Sequence, residues 1–235
     1  MAILTAQPHL QHMLHTSVLG EMPTEDITYP VISEFIYLHK TPFDRFAIYP
    51  QINLRWKPEQ PNDTRAEVAD FAIGNFSLDP PYFKIRVGAE AKRSVPAIMN
   101  SFPDPLLIEN HADLMIEFHD LYYQGEDQAK AAIKGGKTFS NTIPYLLFVG
   151  PYWTNVTYGP FNSAQLDIRT HKPSDSGDFR EAARAATKLA SPPIFRKLYL
   201  LGTDKSHTKL EDIIASTDVA FSALRDEASK FTVRV

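Results

Sequence analysis

An α/β sandwich, with a mixed central sheet flanked by helices and further helices at its C-terminal end, is the fold class this sequence predicts. Three observations predict it. Residues 82–92 alternate apolar positions (Phe83, Ile85, Val87, Ala89, Ala91) with charged ones (Lys84, Arg86, Glu90, Lys92), the period of a strand with one polar face. Between about residues 108 and 134, Ala112, Met115, Ile116, His119, Tyr122 and Tyr123 recur every three or four positions, as on an amphipathic helix. Residues 143–150, IPYLLFVG, are almost wholly apolar, as in a strand buried on both faces.

In chain order, residues 1–30 read as an arm. His9, His12 and His15 stand three apart, but no carboxylate completes a metal set. A helix is expected to start near Pro30, since Ile32, Phe35 and Ile36 share a helical face. Residues 45–56 read as the first core strand, bent at Pro50, and 57–64 as a surface loop. A second strand covers 67–73, and Asp79-Pro80-Pro81 turns the chain into the strand at 82–92. Gly125 is a possible break in the following helix, and Gly135-Gly136 ends it. After the buried strand at 143–150, residues 153–158 pair beside it. Residues 31–160 are thus the expected core. Residues 161–235 are expected as a helical extension packed on the same domain, with helices at 179–189 and 217–231. Arg180, Arg184, Lys188, Arg196 and Lys197 form a basic cluster within it.

Composition narrows the function classes. The chain has no cysteine, which removes disulfide frameworks and thiolate zinc sites and suits an intracellular setting, cytoplasmic or nuclear. No apolar run approaches the roughly 20 residues that span a bilayer, and no signal-peptide pattern opens the sequence, so no membrane role is expected. A net charge of −4 argues against a protein that simply coats nucleic acid, but leaves room for a local basic groove.

The chemistry concentrates between Arg65 and Arg93. Asp70 is a lone carboxylate in an apolar run, a costly placement unless it is paired or bound to a cation. Glu90 and Lys92 share a strand face roughly 6 to 7 Å apart. If the two strands pair as a hairpin, Asp70 and Glu90 converge at one end.

An acid on one strand and Glu-x-Lys on the next, here Asp70, Glu90, Ala91 and Lys92, resembles the motif of the PD-(D/E)xK nuclease superfamily, the fold of restriction endonucleases. The layout also looks like that of nuclease-like proteins from fungal genomes. Ala69 departs from the proline that precedes the acid in the family pattern. The resemblance implies a restriction endonuclease-like sandwich that hydrolyses phosphodiester bonds of DNA or RNA. It implies Mg²⁺, with Mn²⁺ as substitute, held by Asp70, Glu90 and the Ala91 carbonyl, and Glu34 joining from the preceding helix. Lys92 is then expected to orient the attacking water and offset charge on the phosphate. Gln128 is expected in the site because several branches of the superfamily place a glutamine on this helix. Lys130 and Lys134 are expected to meet substrate phosphates, and a homodimer is possible.

Other readings compete. A surface salt bridge of Asp70 or Glu90 with Lys92 or Arg86 would need no function at all. A catalytically inactive nuclease-like fold could serve as a nucleic-acid or protein-binding module. A glycosidase acid pair leaves Lys92 unexplained. The sequence contains neither a G-x-x-x-x-G-K-S/T phosphate loop nor a G-x-S-x-G elbow.

Overall fold

Among the described residues six strands lie side by side in chain order, so each new strand is added to the edge left by the last. The computed structural model describes residues 28–38, 47–55, 66–76, 83–93, 112–168 and 197–218. The expectations for the N-terminal histidines, the helix at 179–189 and most of the basic cluster lie outside these residues. The elements are α1 (Thr28–Leu38), β1 (Ala47–Arg55), β2 (Ala66–Phe76), β3 (Phe83–Lys92), α2 (Ala112–Lys134), β4 (Ile143–Val149), β5 (Tyr152–Tyr158), a short α3 (Ser163–Leu166), β6 (Tyr199–Leu200) and α4 (Asp204–Asp218). Every pairing is antiparallel except β3 with β4, which run parallel because α2 carries the chain back between them. The predicted α/β class, a mixed sheet flanked by helices, is the architecture observed.

The helices divide between the two faces. α2 covers one face together with Ile52, Leu54, Tyr145, Leu147 and Val149. α1 and α4 cover the other, against Phe71, Val87, Ala89, Leu146, Phe148 and Trp153. β4 supplies both cores by alternation, which is why its sequence is continuously apolar. α1 buries Ile32, Phe35 and Ile36, the stripe expected of it, together with Val31.

α2 departs from expectation twice. Its sheet-facing seam runs through Leu114, Phe118, Leu121, Gln128 and Ala132, whereas Tyr122 and Tyr123 of the predicted stripe are only half-buried. Nor does Gly125 divide the helix, which is continuous over 23 residues. A β-carbon at Gly125 would lie 2.8 Å from the Tyr158 hydroxyl, which donates to the Tyr122 carbonyl at 2.6 Å. The glycine makes room for that tyrosine. The predicted stop at Gly135-Gly136 is observed. Gly136 has φ 66°, its N–H bonds the Ile133 carbonyl and the Lys137 N–H bonds that of Ala132, a Schellman closure.

β3 carries a bulge. Val87 pairs with Ile73 but Ile85 with Gly74, so Arg86 is an extra residue. The extra residue moves Arg86 off the face of Glu90 and Lys92, where simple alternation had put it. It points to α4 instead, and its Nη2 donates to the Ile214 carbonyl at 3.4 Å.

The segment after residue 160 is not helical throughout. It contributes β6 to the sheet, and α4 begins well before the helix expected at 217–231, of which only Thr217 and Asp218 lie among the described residues. Trp153 anchors α4 by donating from Nε1 to Ser206 Oγ at 2.7 Å, and it packs against Phe148, Tyr199 and Phe35. Among the described residues no helix is long and apolar enough to cross a membrane.

Candidate active site

The site lies where β2 and β3 part. Their ladder places Phe71 opposite Ala89, and one step further brings Asp70 to Glu90. Here β2 turns over: Ala69 faces the α2 core, yet Phe71, two residues on, faces the α1 side. β1 makes the same reversal between Ile48 and Ile52, through Pro50 and Gln51, and Gln51 takes φ 50°, a left-handed value rare outside glycine. The paired irregularities let the Asp70 carboxylate turn toward the neighbouring backbone. Its Oδ2 accepts the Ala91 N–H at 2.8 Å and its Oδ1 the Tyr29 hydroxyl at 2.8 Å. Glu90 Oε2 in turn accepts the Asp70 N–H at 3.3 Å. The two acids are therefore clasped through each other's backbones.

α2 holds Glu90 from the other side. Gln128 Nε2 donates to Glu90 Oε2 at 2.8 Å and to the Val68 carbonyl at 3.0 Å, tying both strands to the helix, and Gln124 Nε2 donates to Glu90 Oε1. Gln124 and Gln128 are four apart, one turn of the same face. The stripe continues to Asp120 and Glu117, which take Lys92. Lys92 Nζ pairs with Asp120 Oδ2 and lies 3.4 Å from Glu117 Oε2.

Burial dominates the electrostatics. Glu90, 3% exposed, is held well above the usual carboxylate range, first by desolvation and then by the Asp70 charge, against the pull of Gln128, the Asp70 N–H and Lys92. Desolvation also raises Asp70, opposed by the Ala91 N–H and the Tyr29 hydroxyl. Tyr145 belongs to the same environment. Gly88 lacks the β-carbon that would collide with its ring, and burial followed by the charges of Glu90, Glu67 and Asp70 keeps its phenol neutral. The Tyr145 hydroxyl and Gln128 Oε1 are buried without a hydrogen-bond partner among the described residues.

Of the residues expected from sequence, Asp70, Glu90, Ala91 and Gln128 come together. Lys92 borders them but leans on the acids of α2. Glu34 is half-buried on α1, and the contact from that helix to the acid pair is Tyr29, five positions earlier and so about 140° around the axis. Lys130 and Lys134 are placed elsewhere. Lys130 is 2% exposed, bound to Glu126 at 2.6 Å and to the Ile168 carbonyl at 3.1 Å, while Lys134 pairs with Asp167. Successive residues of a helix diverge by about 100°, so the face that carries Gln128 cannot also carry Lys130. Sequence reasoning missed Gln124, although its four-residue spacing from Gln128 was available as a signal. It also missed Tyr29 and Tyr145, for which local sequence holds no such signal.

A divalent cation fits this donor set. Two adjacent carboxylates repel when both ionise, a hard cation offsets that repulsion, and magnesium characteristically takes one or two carboxylates and retains waters. Among the described residues no group of three or more histidine, aspartate or glutamate side chains could hold a metal, so the acid pair offers a cation two carboxylates and no third. Compared with known proteins, the chain matches no family model, no curated protein and no solved structure.

Proposed function

We propose that this protein is a metal-dependent nuclease of the PD-(D/E)xK type, hydrolysing phosphodiester bonds of DNA or RNA with Asp70, Glu90 and Lys92. One observation carries the reading: the carboxylates of Asp70 and Glu90 converge from adjacent strands, each hydrogen-bonded to the other's strand, with Lys92 two residues beyond Glu90. Two adjoining carboxyls, Glu90 buried and Asp70 half-buried, are an unfavourable choice for stability alone.

Asp70 and Glu90, with the Ala91 carbonyl, would hold Mg²⁺ in this reading. Bound there, the cation supplies Lewis-acid polarisation of the scissile phosphate and acidifies water. The protein supplies the rest. Gln124 and Gln128 fix the Glu90 carboxylate, and Tyr29 and the Ala91 N–H fix Asp70, so the acids need not reorganise during reaction. Lys92, leaving Asp120, brings a positive charge to the phosphate as negative charge builds on it.

A second reading is favoured by one observation. The Lys92 ammonium is engaged by Glu117 and Asp120, as in a purely structural ion pair, which suits a non-cleaving nucleic-acid or protein-binding module.

The test is cleavage of labelled DNA and RNA, single- and double-stranded, with Mg²⁺, Mn²⁺ or EDTA, using wild type, Asp70→Ala and Lys92→Ala. Metal-dependent cleavage lost in both variants is expected. Absence of cleavage on every substrate, with no metal binding by calorimetry, would overturn the nuclease reading in favour of the binding module.

A further inference from the structure

A concavity lies on the opposite face of the sheet from Gln124 and Gln128. It has a volume of about 540 Å³ and opens between the C-terminal half of α4 and the starts of β3 and β4. That volume falls within the roughly 300–1,000 Å³ usual for small-molecule sites. Its cause is a mismatch in side-chain size. α4 is seated on the sheet through Leu210, Ile213 and Ile214, but the sheet residues facing its far end include the short Pro144, Asn155 and Thr157.

The walls are chemically distinctive. Arg86, brought to this face by the bulge in β3, is 5% exposed, on a strand face otherwise made of Val87, Ala89 and Ala91. Its Nη2 donates to the Ile214 carbonyl at 3.4 Å, and the planar donor set of a guanidinium matches the oxygens of a phosphate. Lys209 of α4 adds a second cation, and Asp212 is the one acid among the lining residues, so the lining keeps a positive balance. Phe139 presents an aromatic ring at the rim, with Lys84 Nζ 5.4 Å from its centroid. Asn155 and Thr157 supply a polar β5 wall.

Cations, an aromatic ring and amide and hydroxyl groups together match one ligand chemistry. We propose that this cleft binds a nucleoside phosphate, the phosphate between Arg86 and Lys209 and the base against Phe139. Asp212 and Asn155 then meet the donors of the sugar and base. Along β3, Arg86 and Glu90 stand four residues apart, about 13 Å, on opposite faces. The cleft is thus separate from the acid pair, and its occupancy does not depend on the nuclease reading.

Calorimetric titration of the full chain in EDTA, which keeps metal from the acid pair, tests the proposal. The probes are AMP, GMP, CMP and UMP, with adenosine and inorganic phosphate as partial ligands and a 5′-phosphorylated tetranucleotide as the strand form. At least one monophosphate is expected to bind, with adenosine and phosphate each about tenfold weaker or more, since each lacks half of the recognised groups. Lys209→Glu and Phe139→Ala, both at positions that are not fully buried, should each weaken binding roughly tenfold while leaving Tm within ~2 °C. Tetranucleotide binding at least as tight as the monophosphate identifies the unit as part of a strand, and weaker binding identifies a free nucleotide; either supports the site. No binding of any monophosphate, phosphate binding as tightly as nucleotides, or affinity indifferent to Lys209→Glu would overturn it. That failure would leave metal-dependent cleavage at Asp70 and Glu90 untouched.

Discussion

At the scale of single residues, the acid pair makes a signed prediction about pH. A carboxyl with a raised native pKa binds more protons in the folded chain than in the unfolded chain between the two values, so stability falls as pH rises through that interval. For Glu90 the interval opens at the ordinary value of 4.5 and runs upward. Without divalent cations, the Glu90 contribution to Tm should fall as pH rises above the ordinary carboxylate range, and Glu90→Gln should remove that component. The glutamine remains compatible with its neighbours because Gln124 can reverse its amide while Gln128 keeps its bond to Val68. Because burial lowers His119 and His207, which adds stability as pH rises, the test is the difference between the two proteins: wild-type and Glu90→Gln Tm profiles that run parallel in EDTA would contradict the assignment. Cation binding should release protons, measurable as a calorimetric enthalpy that varies with the buffer's ionisation enthalpy. Tyr29→Phe removes the hydroxyl donor to Asp70 and should cost about 1 kcal/mol in urea denaturation. Asp70 and Glu90 were legible in sequence because a lone acid in an apolar run and a strand-spaced Glu-x-Lys are local patterns. Tyr29 was not, since its partner stands 41 residues away.

At the scale of elements, two features hidden from periodicity decide where side chains point. The β3 bulge sends Arg86 to α4, and the reversal at Asp70 separates Ala69 from Phe71. Both depend on the pairing of strands, which one strand's sequence does not encode. The helix following β3 was legible in extent because 23 residues sustain a helical pattern, and Met115, Ile116 and His119 of its expected stripe are buried, but Tyr122 and Tyr123 are only half-buried. Tyrosines at helical spacing mimic a core stripe when, like Tyr122 and Tyr123, their rings lie half-buried beside it. Gly125 carries the prediction at this scale. Alanine improves helix propensity by about 1 kcal/mol, yet its methyl would press on Tyr158, and overpacking of this kind costs roughly 1–3 kcal/mol. Gly125→Ala should therefore lower Tm, whereas the double variant Gly125→Ala with Tyr158→Phe should recover part of the loss, because it removes the hydroxyl nearest the new methyl. Thermal unfolding of the pair measures the coupling, and strict additivity would refute the packing role.

For the whole molecule, the layered class was readable because strand and helix periods alternate along residues 31–160. The contribution of the later segment was not, because β6 is only two residues long. Chain truncated after residue 160 loses β6 and α4, uncovering Trp153, Phe148 and Leu146 on the α1 and α4 face. Apolar exposure on that scale favours association. The truncated chain is expected to aggregate or to lose cooperative unfolding, as monitored by light scattering and circular dichroism. A soluble, cooperatively unfolding 1–160 fragment would show the segment to be a dispensable extension.

The one parallel pairing in the sheet also sets an order of assembly. β1, β2 and β3 adjoin through antiparallel connections local in sequence, so the hairpin that carries Asp70 and Glu90 can form early. β4 follows only after the chain from Lys92 to Ile143 has closed a long loop, and closing such a loop is entropically slow. Until then neither Gln128 nor Tyr145 shields the acids. The burial that raises Glu90 is thus expected to arise only when α2 and β4 dock, late in assembly.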